Sequence, residues 1–390
     1  MERPPEVPVR GVQQSHVTTL VSTSDSPLAR PVNTHQGHRP FARRTLARVS
    51  TATQPSARDR VLGALTGTRL ASAAARPSSP LAGAEATLQL LLMDGLLEAL
   101  EWAERGQGAE DTACLWLGGL RWVAAVDGAV PDAAPEPPAR PVASAVADAI
   151  ADGASAATQG ANTQGAGAHG ADSASTSAER VSGGDPQNLT GLRSPEMSQP
   201  NRPFNRPAAT VPELASTDGP GVLARAVAVG LLAPAQEADI RRLATAAAAL
   251  SHGAPSAHVA AADAALVIHA VPRGVWAVRG TLSEVLGREH ATDSPSRQAL
   301  QCALGAVGTV LEDLEQGRTE AAWKAVTRLA QEKGEGAALY AGALVGAVVG
   351  AEALASVTAT GADSAAAASS VDPLEPVTED LATRFAALIA

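Results

Sequence analysis

The chain is short of lysine, cysteine and aromatic residues, and each shortage removes a class of protein. Among its 390 residues the lysines are Lys324 and Lys333, and the cysteines are Cys114 and Cys302. Two thiols in so long a chain exclude a disulfide-stapled secreted scaffold. Aromatics make up 2% of the sequence and the formal net charge is -10, so phosphate is repelled and few rings can stack on bases. No nucleic-acid partner is expected. No hydrophobic stretch of the signal-peptide kind follows the start, and the arginines at Arg39, Arg43, Arg44 and Arg48 lie among prolines that break the amphipathic helix of a transit peptide. The expected location is cytoplasmic.

What is abundant is alanine, which supplies much of the 45% hydrophobic content as helix-forming small residues. Apolar residues recur at helical spacing, as in Leu88, Leu91, Leu92, Leu96 and Leu100. Helices are expected over Arg58–Ala75, Ala84–Arg105, Ala109–Val126, Gly221–Leu232, Ala235–Ser251, Ala257–Ala270, Leu282–His290, Ser296–Glu315, Glu320–Glu332 and Glu335–Ala355. Ser294-Pro295 is a good N-cap and first-turn pair. No run alternates convincingly between apolar and polar, so the fold class is all-α.

Composition divides the chain into a disordered arm (1–56), a first helical part (57–128), a low-complexity insertion (129–205), a second helical part (206–357), and a linker with a short C-terminal helix near Glu379–Ile389 (358–390). The insertion opens on the Pro131–Pro141 run and is rich in Ala, Gly, Ser, Thr and Gln. Such sequence buries too little apolar surface to offset its ordering entropy, one short helix at Ala143–Ala151 apart. The two helical parts together make one domain of about 220–240 residues. Ala337–Ala351 is uncharged, with Gly342, Gly346 and Gly350 at four-residue spacing, which also fits a membrane helix pair. It is shorter than the roughly 20 residues a bilayer needs, so a buried core helix is expected and no membrane.

Five segments, in order, resemble the ADP-ribosylglycohydrolase family, of the dinitrogen reductase-activating glycohydrolase kind. They are RDRVLGALTG (58–67), LQLLLMDGLLEAL (88–100), GPGVLARAVAVGLL (219–232), ALSHGAPSAHVAAADAAL (249–266) and EKGEGAALYAGALVGAVVG (332–350). The resemblance implies an all-helical fold and a site that holds two divalent ions, Mg2+ or Mn2+, to cleave ADP-ribose from modified substrates. Carried over residue by residue, it places the first Asp-Asp pair of that site at Ala84 and Glu85, flanked by Gly83 and Ala86 in place of threonines. An aspartate of the first helix becomes Ser72. In the last motif Lys333 replaces a ligand, Glu335 keeps a carboxylate, and Gly336 replaces a threonine. The loop Arg76–Ala82 holds no acid that could assist water.

Glu85 and Glu335 are thus the residual metal and catalytic candidates, too few oxygen donors for a dinuclear site. Lys333 either supplies the missing positive charge, pairing with Glu335 and Glu85, or all three are solvated near helix ends. Gly219, Gly221 and Arg225 are the ligand-binding candidates: the loop could offer N–H groups to a phosphate, although Pro220 removes one donor, and Arg225 ties helices together. His252 suits helix C-capping, His258 and His269 are surface or core residues, and Asp94 belongs on a polar helix face. The resemblance therefore implies a degenerate member: a pseudoenzyme serving as a scaffold or as a module for ADP-ribose, an ADP-ribosylated protein or another protein partner, with no cofactor. The alternative is a divergent hydrolase that still uses Mg2+ or Mn2+.

Overall fold

In a computed structural model of the chain, the described residues are 54–77, 79, 83–132, 134–164, 181, 184–195, 208, 211–288, 294–360 and 372–390. Among them lie fourteen α-helices and no strand, which is the expected all-α class. The arm up to residue 53, the middle and end of the low-complexity stretch (165–180, 182–183 and 196–207) and the 361–371 linker lie outside the described residues.

The first helix, α1 (Ala57–Ala75), starts at Ser56, whose hydroxyl accepts the Asp59 N–H at 3.1 Å. Its long-range partner is α12 (Glu335–Val349), which carries no charge after Glu335 and is buried at every residue from Ala337 to Ala347. The two backbones touch where both carry glycine. A Cβ added to Gly67 would lie 2.1 Å from the Gly342 carbonyl oxygen, and one on Gly346 would lie 1.9 Å from that of Gly63. The four-residue glycine spacing is therefore used for close helix contact within the core. No single described helix is long and apolar enough to cross a membrane; α12 and the start of the next helix pass such a test together only across a 114° bend.

That bend corrects the single helix expected over Glu335–Ala355. The chain breaks at Gly350, where φ is +84°, and resumes as α13 (Ala351–Thr360). Asp59 on α1 accepts the Ala351 N–H at 3.0 Å, and a Cβ on Gly350 would collide with the same carboxylate. A left-handed glycine and a distant cap together end an apolar run that shows no break of its own.

Two more helices flank α1 and α12. Helix α2 (Ala84–Glu104) buries the leucine stripe, and α3 (Asp111–Asp127) packs beside it with Gly95 and Gly118 against facing carbonyls. The stretch expected to be an insertion begins with α4 (Pro141–Gln164), much longer than the short helix expected. Val142, Val146, Ala149 and Ile150 recur at helical spacing and are buried against the core. Asp94, placed on a polar face by sequence, is instead wholly buried and paired with Arg140 at 2.7 Å just ahead of α4. Near its other end the stretch contributes α5 (Pro186–Arg193), whose Leu192 is buried against Gly119.

The second half supplies α6 (Val222–Gly230), α7 (Glu237–Ala249), α8 (Pro255–His269), α9 (Val275–Gly287), α10 (Pro295–Glu315) and α11 (Thr319–Lys333). Helix α9 begins seven residues before the expected Leu282, because Gly274 at φ +95° turns the chain into it. Ser294 accepts the Arg297 N–H at 3.2 Å, with Pro295 in the first turn. Asp263 on α8, wholly buried, is paired with Arg297 at 3.0 Å and with Arg288, tying α8 to α10 and the end of α9. Helix α14 (Glu375–Ile389) returns to α1, where Arg69 reaches Thr378 at 2.8 Å and Arg58 reaches Thr383 at 2.9 Å. A cavity of about 10 Å³ is lined by Ala57, Val61, Ile268, Ala347 and Ile389, so both ends of this unit meet there.

Candidate functional site

Four helices bring their N-terminal ends to one place. Glu85 is in the first turn of α2, Asp185 caps α5, Gly221 precedes α6, and Glu335 opens α12. Carboxylates are favoured there because unsatisfied N–H groups and the helix dipole present positive charge. The C-terminal ends of α1 and α7 complete the cluster with Ser72, Arg76, Ser251 and His252.

Glu335 accepts from three protein donors. Its Oε1 takes the Ser72 hydroxyl at 2.8 Å and lies 3.0 Å from Arg76 Nη2; its Oε2 takes the Gly184 N–H at 3.0 Å. Arg76 also donates to Ser72, four residues back on α1. Lys333 is exposed at the end of α11 and forms no ion pair among the described residues, so the expected Lys333–Glu335–Glu85 pairing is corrected: the cation on Glu335 is Arg76. Lys333 immediately precedes the Gly334 turn into α12 and is exposed there, whereas Arg76 reaches across from α1.

Glu85 is 1% exposed, which excludes the solvated reading for this residue. Its Oε1 accepts the Asp185 N–H and the Asn188 side-chain amide, both at 2.7 Å, while Oε2 is buried without a partner among the described residues. Burial pushes the carboxyl up to about 8, helped by the charges of Asp185 and Glu335 and opposed by the Asp185 N–H and Arg225. Glu85 is therefore protonated at neutral pH.

Asp185 accepts the Gly221 N–H at 3.1 Å, the Gln187 N–H at 3.0 Å and His252 Nε2 at 3.0 Å. Burial opposes its charge, yet the hydrogen bond from His252 and the two N–H groups hold it below the ordinary carboxylate range. His252, wholly buried, is pushed down by burial against the pull of Asp185. We assign it as neutral, with Nε2–H on Asp185 and Nδ1 accepting the Ser251 hydroxyl at 2.8 Å. Ser251, His252 and Asp185 follow the order hydroxyl, imidazole, carboxylate, but the hydroxyl is wholly buried beside Asn188, so the chain of bonds joins α5 to α7 without exposing a nucleophile.

The ligand-binding candidates have protein partners as well. Gly221 offers its N–H to Asp185 rather than leaving it open to a phosphate, and a Cβ on Gly219 would lie 1.8 Å from Asp185 Oδ2. Arg225, 1% exposed, donates to the Ala247 carbonyl at 2.7 Å and to Asn188 at 2.6 Å, tying α6 to α7 and α5. Burial lowers it to about 10, with Glu85 and Asp185 pulling it back up, so it stays charged at neutral pH. The Arg76 and Arg225 guanidinium groups thus stand in one cluster with the carboxyl groups of Glu335, Asp185 and Glu85.

Asp185 and Asn188 do not stand out as site residues in the sequence because their surroundings are low in complexity. The available signal is Asp185-Pro186, the same cap-and-proline pair as Ser294-Pro295. Arg76 has a fainter one, its four-residue spacing from Ser72.

Divalent ions of the Mg2+ or Mn2+ kind need several free oxygen ligands. Here Glu335 and Glu85 are engaged by a guanidinium, a hydroxyl, an amide and backbone N–H groups. No group of three or more His, Cys, Asp or Glu side chains among the described residues is arranged to hold a metal ion. The residues present do not fit the dinuclear centre that the resemblance implies. In comparisons with known proteins, no family model matches the chain and no curated protein matches it significantly.

Proposed function

We propose that the chain is an ADP-ribosylglycohydrolase-like protein that has given up metal-dependent hydrolysis and serves as a scaffold for a protein partner. The observation that carries this reading is the state of Glu335 and Glu85. The only two carboxylates at the resembled ligand positions are hydrogen-bonded to the protein itself, one against Arg76 and the other protonated by burial. A closed cluster of this kind stabilises a junction of helices and leaves neither carboxyl placed to hold a metal that would activate a water.

The test combines three measurements on the full chain. Peptides ADP-ribosylated on arginine or serine are incubated with it in Mg2+ or Mn2+, melting is recorded with and without each metal, and ADP-ribose is titrated calorimetrically. The scaffold reading expects no release of ADP-ribose, no metal-dependent shift and no heat of binding. Heat without turnover would favour the ADP-ribose-binding module instead. Release of ADP-ribose that disappears in Glu335→Ala would replace both with the divergent hydrolase.

A further inference from the structure

The mismatch between this cluster and a metal centre has a specific cause at Arg76. This residue ends α1 in a non-helical conformation, φ −141° and ψ 58°, and its side chain folds back over the last turn to Ser72 and Glu335. Room for it exists because α2 is preceded by glycine: a Cβ on Gly83 would lie 2.4 Å from Arg76 Nη2 and 2.3 Å from Ser72 Oγ. Only Nη2 is engaged, since Nε and Nη1 are buried with no hydrogen-bond partner among the described residues. The side chains of Arg76 and Glu335 are 15% and 10% exposed, so the pair is largely withdrawn from water. A carboxylate in that setting requires a cation nearby.

We infer that the Arg76 guanidinium is the resident cation of this cluster, and that its removal leaves, between Glu335, Ser72 and Gly83, a site for an added cation of guanidinium shape. Three parts of the site stay in place without Arg76: the Glu335 carboxylate, the Ser72 hydroxyl, and the Gly184 N–H that fixes the carboxylate's second oxygen. The side-chain-free position at Gly83 keeps the space open. The inference builds on the non-catalytic reading of Glu335. Its readout is stability rather than turnover, so an unexpected hydrolase activity would overturn that reading and leave this one standing.

The experiment uses the full chain with Arg76→Ala, melted with and without methylguanidinium, a sodium salt at equal ionic strength serving as the control. The expected loss is about 5–10 °C of Tm in the variant, reversed in large part by methylguanidinium, with the wild type indifferent to it. An Arg76→Ala chain that folds only when methylguanidinium is present supports the inference equally. Arg76→Lys keeps the charge without the planar group and is expected to lose less and to respond little. Gly83→Ala, with Arg76 intact, displaces the guanidinium but fills its place, and is expected to lose stability without rescue. Mn2+ is a parallel arm: rescue by Mn2+ but not by methylguanidinium would overturn the guanidinium-shaped site in favour of a metal site. An Arg76→Ala chain as stable as wild type, or one restored by neither cation, would overturn the inference outright.

Discussion

The backbone N–H of Asp185 donates to Glu85 Oε1 at 2.7 Å, joining residues 100 positions apart. This bond fixes the start of α5 against the start of α2, and the Asp185 side chain carries the connection on to Gly221 and His252. The cap of an eight-residue helix thus positions three others, and the polar cluster is held together by a segment that composition alone would assign to a spacer.

Glu85→Gln removes a buried carboxyl that takes up its proton on folding. In the wild type the folded-state value is raised from 4.5 to about 8. Its contribution to stability is therefore fully present below about pH 4.5 and is lost as pH rises through about 8. The glutamine amide does not titrate over this range. Denaturant melts from pH 5 to pH 9 are expected to show wild-type stability falling relative to Glu85→Gln by roughly 3–5 kcal/mol. Parallel curves for the two proteins would show that Glu85 does not hold its proton.

Asp185 offers a paired test. Asp185→Ala leaves the Gly221 and Gln187 N–H groups and His252 without their acceptor, and is expected to cost about 2–4 kcal/mol in chemical denaturation. Asp185→Asn keeps an acceptor oxygen and the cap, so its cost is smaller. Because the Asp185 charge raises Glu85, Asp185→Asn also moves the Glu85 transition to lower pH. A Glu85 transition unchanged in Asp185→Asn would show that the two carboxyl groups do not interact.

Two glycine-to-alanine changes separate packing from helix propensity. Gly346→Ala puts a methyl group 1.9 Å from the Gly63 carbonyl oxygen, so α1 and α12 must part, at a cost of about 3 kcal/mol or more. Gly280→Ala on α9 meets nothing within 4 Å among the described residues and is expected to be neutral or to stabilise by about 0.5–1 kcal/mol. Thermal melts of both variants measured together check the contrast.

The helices themselves are legible in the sequence because their signals are local. The leucine stripe of α2 and the Ser294-Pro295 cap lie within a few turns of the backbone they organise. The bend at Gly350 is not legible, because the apolar run continues through it and the carboxylate that fixes it, Asp59, is 292 residues from Ala351, whose N–H it accepts. The same separation hides the cation on Glu335. Sequence distance favours Lys333, two residues off, while folding delivers Arg76 from the far end of α1. Glu85 is legible as a carboxyl at the start of a helix, but its protonation depends on how completely α5 and α6 cover it, which no spacing in the sequence records.

Ala57 and Ile389 line the same small cavity, so the described unit is almost a closed ring of chain. Its neighbours in space would survive a cyclic change in the order of its helices. A short bridge from Ala390 to Gln54, with new ends opened at Gly317 between α10 and α11, cuts no contact at the carboxylate cluster and leaves α1 between α12 and α14. Beyond its chain neighbours, no described residue lies within 4 Å of a Cβ placed on Gly317, and the chain turns there at φ +71° on an exposed surface. In such a permutant α1 would be synthesised after α12 and α14, two of the helices it packs against, which makes the order of assembly of this core separable from its final architecture.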